Sequence, residues 1–418
     1  MEQTGEFRQH GRALLATCLG LSTGLSLNTY LLSIFAPYLL HAFGWTRAQW
    51  AMLGVIQFLV MVTLPIAGRL ADRFGVRRVA MVGSLAFPGF LVAQAFLDGD
   101  IRHFFWLQVA LVLCCSTTTT VVYARVIATT FRHRRGLAFG IMGVATPLTG
   151  ALASPLLTAL IDRTDWRTGF FAMAAAALCS ALGMLALLPR DAPGAHAAAS
   201  RFAPAASYRR MLAMPALWII VGGTFLVNLP FSLASMQLKM VALDQGLTSA
   251  QAALMVSAFA IGSIVGRLVG GVACDLAPAT RVATISFALP VAGLLMLASH
   301  PGNVVAVGAA ILLMGIAFGG EGDVVPYLVT RYFPRSLFSS AAGLQSAGVG
   351  AAMASGNVFL GSILAHGGSY ATYMLIAAAS AGVGSLLFLL LERQPLAEAE
   401  AEAEPSPPAD AAAAHSLS

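Results

Sequence analysis

Twelve stretches of the 418-residue chain are apolar for long enough to cross a bilayer, and turn or charge signals separate them. A spanning helix takes about 20 apolar residues. Inside hydrocarbon every backbone amide must bond within its own segment, so such runs fold as helices. Helices are expected at about 13–40, 48–70, 78–98, 103–129, 137–161, 167–188, 215–241, 249–273, 280–299, 303–330, 337–364 and 369–391. Composition agrees: 58% of residues are hydrophobic, 10% are charged, and mean hydropathy is +0.79. A soluble domain carries about 25% charged residues. A soluble globule, a disordered chain and a disulfide-stapled secreted fold are therefore excluded as the main body. The fold class is all-α membrane protein with twelve transmembrane helices.

The net charge of +6 does not point to nucleic acid, because the basic residues recur in short clusters between apolar runs. With the N-terminus inside, 17 of the 24 Lys and Arg fall in cytoplasmic segments and four in external loops. That asymmetry predicts both termini on the cytoplasmic side of the cell inner membrane. Arg125, Lys239 and Arg267 lie within the runs, and Lys239 is the sole lysine. The arginine excess is read as genome composition, not chemistry. Residues 189–213 read as a polar linker between bundles at 1–188 and 214–392, and the AEAEAEAEPSPPADAAAA tail within 393–418 as disordered. Cys18, Cys114, Cys115, Cys179 and Cys274 all sit in apolar runs without metal spacing, as packing residues. Leu15–Cys18 is a poor lipoprotein cleavage box, and the first run reads as a retained span.

The chain repeats itself. GWTRAQ at Gly44–Gln49 returns as GLTSAQ at Gly246–Gln251, an offset of 202. GRLADR at Gly68–Arg73 returns as GVACDL at Gly271–Leu276, an offset of 203. The segment ending at Phe131 returns in the one ending at Phe333, an offset of 202. Six helices separate the copies, an even number, so two parallel six-helix repeats are expected, with any substrate site at the midplane between them. Thr46/Gln49 and Thr248/Gln251 read as capping boxes that start helices 2 and 8.

GRLADRFGVRR, Gly68–Arg78, resembles the signature loop of the major facilitator superfamily. The resemblance implies a conformational latch built on Gly68, Asp72, Arg73 and Arg77, with Asp275 in the second copy. Gly68 is expected to let helix ends approach closely, and Asp72 to accept from a neighbouring helix N-terminus. Within the superfamily the chain resembles the monocarboxylate transporter family, including its bacterial oxalate–formate antiporter branch. Three stretches carry this: Phe131–Gly150, Gly266–Asp275 and Phe318–Arg335. The family carries a substrate-binding arginine on helix 8, which the resemblance places at Arg267. Tyr123 and Tyr327 match positions that line the cavity in bacterial members. Animal members have an acidic residue four positions before the arginine and a lysine in helix 1. Here Ser263 and, approximately, Tyr30–Leu31 stand there. Tyr30, Asn28 and Ser263 complete the candidate substrate-binding set, with helix packing an equal reading for each.

A charge inside a span costs at least ~2.5–3.5 kcal/mol at the helix centre, so each needs a reason. Arg267 offers a bidentate fork to a carboxylate; the alternative is a pair with Asp275 or a snorkelling chain. Glu321 and Asp323 point about 200° apart on helix 10 and are the candidate proton carriers, because burial disfavours the charged carboxylate. Their alternative is a structural pair with Arg125 or Arg331. Arg125 is read as a lock to helix 10 or to the signature loop, Lys239 as a snorkelling chain. All eight histidines read as lying outside the spans. Asn228 and Pro230 should break or bend helix 7. Gly136/Gly140 on helix 5 and Gly343, Gly348 and Gly350 on helix 11 read as close-approach, rocking positions.

No nucleotide loop, HExxH or CxxC occurs, so a primary pump, an enzyme and a cofactor or metal site are not expected. The sequence reads as a secondary transporter, a monomer in the lipid bilayer, carrying a small organic anion with protons. Anion exchange and efflux of a lipophilic drug or metabolite stay open.

Overall fold

The computed structural model describes residues 5–131, 135–188, 209, 211–334 and 337–395. The linker read at 189–213 and the tail at 393–418 fall almost wholly outside those residues. Every described element is helical. Span 1 comprises Gly5–Ser22 and Leu25–Phe43. Span 2 comprises Arg47–Met52, the 3-10 turn Leu53–Ile56 and Gln57–Phe74. Span 3 is Val76–Ala95, and span 4 comprises Ile101–Cys115, Ser116–Thr118 and Thr120–Thr130. Spans 5 and 6 are Arg135–Arg163 and Trp166–Leu187. Span 7 comprises Pro215–Asn228, Phe231–Met236 and Leu238–Asp244. Spans 8, 9, 10 and 11 are Ser249–Leu276, Ala279–Ala298, Val304–Tyr332 and Phe338–Ala365. Span 12 is Tyr370–Leu387, continued by the 3-10 segment Phe388–Arg393.

Eleven of these twelve are long and apolar enough to cross a membrane as one stretch among the described residues. The twelfth, span 7, is broken at Leu229–Pro230 and again at Gln237. The first break is where Asn228 and Pro230 predict it, because a proline removes a backbone donor and crowds the preceding turn.

Two further breaks, like the one at Gln237, were not foreseen. Span 1 opens at Gly24, and span 4 opens in the Ser116–Thr120 run. The hydroxyls of Ser116, Thr117, Thr118 and Thr119 each donate to the carbonyl three residues back, at 2.7–3.3 Å. Such local bonds compete with the helical ladder. The two breaks face each other: the Leu25 amide donates to Thr118 Oγ1 at 2.9 Å, and a Cβ at Gly24 would lie 2.6 Å from that oxygen.

The capping boxes form as expected. Thr46 accepts from the Gln49 amide at 3.1 Å while Gln49 Oε1 accepts from the Thr46 amide at 2.9 Å. Thr248 and Gln251 do the same at 3.3 and 3.0 Å. Spans 2 and 8 thus start identically, as parallel repeats require.

Packing follows the repeat. Spans 1, 3, 4, 5 and 6 pack among themselves, as do spans 7 to 12. The two sets meet where span 5 runs along span 8, span 2 along span 11, and span 1 against span 7. Shifting by six spans turns the first of these seams into the second.

Close helix approach is not where the glycines of spans 5 and 11 suggested. Gly136, Gly140 and Gly343 have nothing near the place of a Cβ, although Gly150 seats the Tyr30 ring and Gly350 seats Met61. The tight contact is between spans 8 and 10. A Cβ at Gly266 would lie 1.9 Å from the Ile316 carbonyl oxygen, and one at Gly319 1.9 Å from that of Ser263. Gly262 and Gly315 are nearly as close to the facing backbone, at 2.5 and 2.3 Å. Small residues at four-residue spacing let two backbones touch in lipid.

Candidate functional site

The end of the molecule carrying the 2–3, 4–5, 8–9 and 10–11 connections is the arginine-rich end. At the opposite end the two sets are pinned together. Arg47 pairs with Asp244 at 2.7 Å, the Trp50 indole donates to the Met236 carbonyl at 3.0 Å, and Ser257 donates to the Ala151 carbonyl at 2.7 Å. From that closure toward the basic end lies a cavity of about 580 Å³ between the sets. Its wall is mostly apolar, with Phe231, Phe259 and Phe318 prominent, and a few polar groups converge on it. That is the make-up of a small-molecule site.

Arg267 is the cation of the wall. Its guanidinium fits between two glycines: a Cβ at Gly143 of span 5 would lie 3.0 Å from Nη1, and one at Gly322 of span 10 3.1 Å from both Nη atoms. The glycine contacts of spans 8 and 10 bring it there. Nε is buried without a hydrogen-bond partner, and Arg267 makes no ion pair among the described residues. It is not held by Asp275, which is exposed at the basic end.

Asp323 and Glu321 diverge, as their spacing requires. Asp323 faces the cavity with Arg267. Glu321 turns into the wall, buried, where Asn228 Nδ2 donates to its Oε1 at 2.8 Å. Asn228 stands at the break of span 7, also donates to the Thr224 carbonyl at 2.9 Å, and leaves its own buried Oδ1 without a partner. Neither carboxylate pairs with Arg125 or Arg331.

Asn28, Tyr30 and Ser263 line the cavity. Asn28 Nδ2 donates to Gln108 Oε1 at 3.0 Å. Tyr123 and Tyr327 stand elsewhere. Tyr123 is fully buried within the first set, against Gly20 and within 3.2 Å of the Ser84 hydroxyl. Tyr327 borders a separate hollow with Asp275, Arg331 and Glu392 at the basic end. Gln57 and Gln108 also face the cavity. They were as visible as Asn28, being amides inside apolar runs, but carry no charge to draw attention.

At the signature loop one expectation fails and another is met. Asp72 meets no helix N-terminus among the described residues; it takes the fork of Arg125, the arginine read as a lock to helix 10 or to this loop, Nε to Oδ1 at 2.7 Å and Nη2 to Oδ2 at 2.9 Å. Arg77 donates to the Leu188 carbonyl and ties span 3 to the end of span 6. Arg73 lies over the Phe74 ring at 5.2 Å. A Cβ at Gly68 would make ordinary contact, 3.5 Å from Arg125, so no close approach depends on that glycine. It is Gly75, at φ +87°, whose backbone demands glycine.

Lys239 does not snorkel. Its side chain is fully buried in the seam, bonded to Tyr38 and Thr158. His10, His41 and His103 fall inside helices longer than expected, near span ends.

The model of the Major Facilitator Superfamily matches residues 18–320 and, in a second match, 220–416. The chain is 28% identical over 320 residues to monocarboxylate transporter 11 of Mus musculus, covering 73% of this chain and 69% of that protein. It is 28% identical over 297 residues to the uncharacterized MFS-type transporter YhjX of Escherichia coli (strain K12), covering 67% and 70%. A shorter match, 27% over 183 residues, reaches monocarboxylate transporter 4 of Rattus norvegicus, covering 43% of this chain and 38% of that protein. The fold is that of the solved nucleoside transporter NupG, with a TM-score of 0.76 at 13% identity over 91% of this chain and 98% of that one. A twelve-span all-helical bundle, a twofold parallel repeat and a cavity between the repeats agree with these matches: the chain is a multi-pass membrane transporter and belongs to the Major Facilitator Superfamily.

Proposed function

We propose that the chain carries a small organic anion, a monocarboxylate, across the cell inner membrane by alternating access, together with a proton. The observation that carries this reading is Arg267, a cation in no direct ion pair among the described residues, with a buried unbonded Nε, in a mostly apolar cavity that it shares with Asp323. A carboxylate supplies two oxygens to a planar fork, in a site dry enough for the bond to matter. The relatives named as monocarboxylate transporters support the same class.

In this reading the units 1–188 and 214–392 rock about the cavity, joined by the linker 189–213. The basic end is cytoplasmic, as are both termini, on the count of 17 cations against four. The closure at the opposite end then makes this conformation inward-facing. Asp323, in the wall with Arg267, and Glu321, behind it, are the groups to carry the proton. A proton beside an Arg267-bound carboxylate lowers the net charge of the loaded carrier, which lowers its cost of reorientation. The cavity is complete within one chain, so the monomer is the transport unit.

The test is uptake of labelled acetate, lactate and pyruvate into membrane vesicles. Arg267→Ala should cut saturable uptake by ten- to a hundredfold, the equivalent of losing a charge-assisted bond of roughly 1.5–3 kcal/mol. Arg267→Lys should recover little of it, because the fork is gone. Full uptake by both variants at normal membrane levels would remove Arg267 from the site.

A further inference from the structure

Lys239 is the chain's sole lysine, and its side chain is fully buried. It lies in Leu238–Asp244, the last piece of span 7, at the end away from the basic connections. Nζ donates to Tyr38 Oη and to Thr158 Oγ1, each at 2.9 Å, and sits 4.3 Å from the centre of the Tyr38 ring. Both partners are neutral hydroxyls, and both belong to the other set of spans. The carboxylate of this cluster stands one hydroxyl away and does not touch Nζ: Asp162 accepts from the same Tyr38 hydroxyl at 2.6 Å and from Ser249 at 3.3 Å. Lys239 makes no ion pair among the described residues. A buried ammonium is normally paired with a carboxylate, because hydroxyl dipoles replace water incompletely around a full charge.

Two further facts give the position meaning. Both Nζ bonds cross the seam, so parting the sets strips the ammonium of both hydroxyls and turns it to water. Lys239 also stands directly behind the outer wall of the cavity. Its backbone amide donates to Ser33 Oγ at 3.1 Å, and Ser33 and the adjacent Leu238 line the cavity. A solute coming from that end passes Lys239 before it reaches Arg267.

We propose that Lys239 is a carboxylate-binding group of the open seam: an outer subsite that exists only while the two sets are parted, and whose oxygen positions Tyr38 and Thr158 take over on closure. The proposal rests on the organic-anion reading of the preceding subsection and adds a second, conformation-dependent cation to it. An anion held at Lys239 must leave before the hydroxyls can return, and Arg267 is the cation ahead of it. Recruitment and closure are thereby mutually exclusive at one nitrogen.

The lone lysine makes the test direct. Sulfosuccinimidyl acetate does not cross membranes and acylates amines in preference to hydroxyls; Lys239 and the N-terminal amine are the two amines of the chain. Applied outside right-side-out vesicles, it should acetylate Lys239, as read by mass spectrometry. Pyruvate at about ten times its half-saturating concentration should slow that reaction about tenfold. The protection should persist in Arg267→Ala and in Arg267→Gln, whichever is better inserted, because the outer site does not need the inner arginine. A lysine that never reacts overturns the proposal, and so does a rate indifferent to pyruvate. Protection that vanishes with Arg267 also overturns it, since pyruvate would then act only by shifting the conformation. Uptake measured in the same vesicles separates the two readings. Arg267-dependent pyruvate uptake without protection removes the Lys239 subsite alone. Absence of both removes the monocarboxylate reading and this proposal with it.

Discussion

Arg125 holds Asp72 with two bonds, Nε to Oδ1 at 2.7 Å and Nη2 to Oδ2 at 2.9 Å, and both residues belong to the same half of the molecule. The pair joins span 2 to span 4 and does not cross the seam. A contact within one half biases rocking only if it differs between the two conformations. Both side chains are partly exposed, at 30% and 46%, so solvent screens the pair. We expect Asp72→Asn and Arg125→Gln each to cost about 1 kcal/mol or less of stability. The double variant should cost no more than the worse single one, a coupling that thermal unfolding of the purified protein in detergent will reveal. Strictly additive losses would mean that the pair is not formed in the solubilised protein. Cysteine accessibility at the two ends tests the latch role: an inward-to-outward ratio unchanged by Asp72→Asn, with normal transport, leaves the pair purely structural.

The glycines separate into two classes with opposite expected responses. Gly266→Ala and Gly319→Ala each place a methyl 1.9 Å from a facing backbone oxygen, so spans 8 and 10 must part. Overpacking of this kind costs typically about 1–3 kcal/mol and here cannot be relieved by a side-chain turn. Both variants should express poorly and lose uptake, because Arg267 rides on that contact. Gly136→Ala and Gly140→Ala meet nothing and gain helix propensity, about 0.8–1.0 kcal/mol per residue by the peptide scale. They should be neutral to slightly stabilising in melting temperature; marked loss of either would show a neighbour at those positions in another conformation.

Neutral mimics divide the roles of the two carboxylates. In the proton-coupled reading, uptake rises as external pH falls and collapses with an uncoupler. Asp323→Asn or Glu321→Gln, whichever replaces the carrier, should keep substrate exchange across the membrane but lose net, pH-driven uptake. The other mimic should leave the pH dependence in place. Should both retain wild-type pH-driven uptake, coupling through span 10 is wrong and anion exchange takes its place.

Asn228 should act through Glu321. Its Nδ2 is the donor that orients the buried carboxyl, and Asn228→Leu removes it without leaving a polar atom behind. Where Glu321 is the carrier, we expect a shift of the pH profile of uptake with little change in half-saturating substrate concentration, the signature of positioning and not of substrate contact. Asn228→Gln, which keeps the amide, should restore part of the profile. An equal loss at every pH would mark Asn228 as a folding residue at the break of span 7.

At the surface the Asp165 carboxylate caps span 6, accepting from the Thr168 amide at 2.7 Å. The Thr168 hydrogen bonds hold its carboxyl below the usual carboxylate range. A depressed folded-state value contributes stability above the ordinary carboxylate range and loses it as pH falls through the folded value. Asp165→Ala should therefore lower melting temperature slightly at neutral pH, and the difference from wild type should shrink in acid. A difference that stays constant down to strongly acid pH would exclude a charge-dependent cap.

The number of spans, the parallel repeat, the two capping boxes and the break at Asn228–Pro230 followed from the sequence alone. Each depends on local chemistry: apolar length against bilayer thickness, side-chain caps within three residues, a proline that cannot continue its helix. The sequence also singled out Arg267, Glu321 and Asp323, since charges inside apolar runs are conspicuous. What each charge does was decided only by packing between segments distant in the chain. Arg125 and Asp72 lie 53 residues apart, so their fork could not be told from a partner on span 10. Lys239 read as snorkelling because its depth was known and its neighbours were not; Tyr38 and Thr158, 201 and 81 residues away, turn it into a buried bond across the seam. Tyr123 and Tyr327 left the cavity for the same reason: helical register fixes a face, but only the neighbouring helices determine whether that face meets substrate or protein.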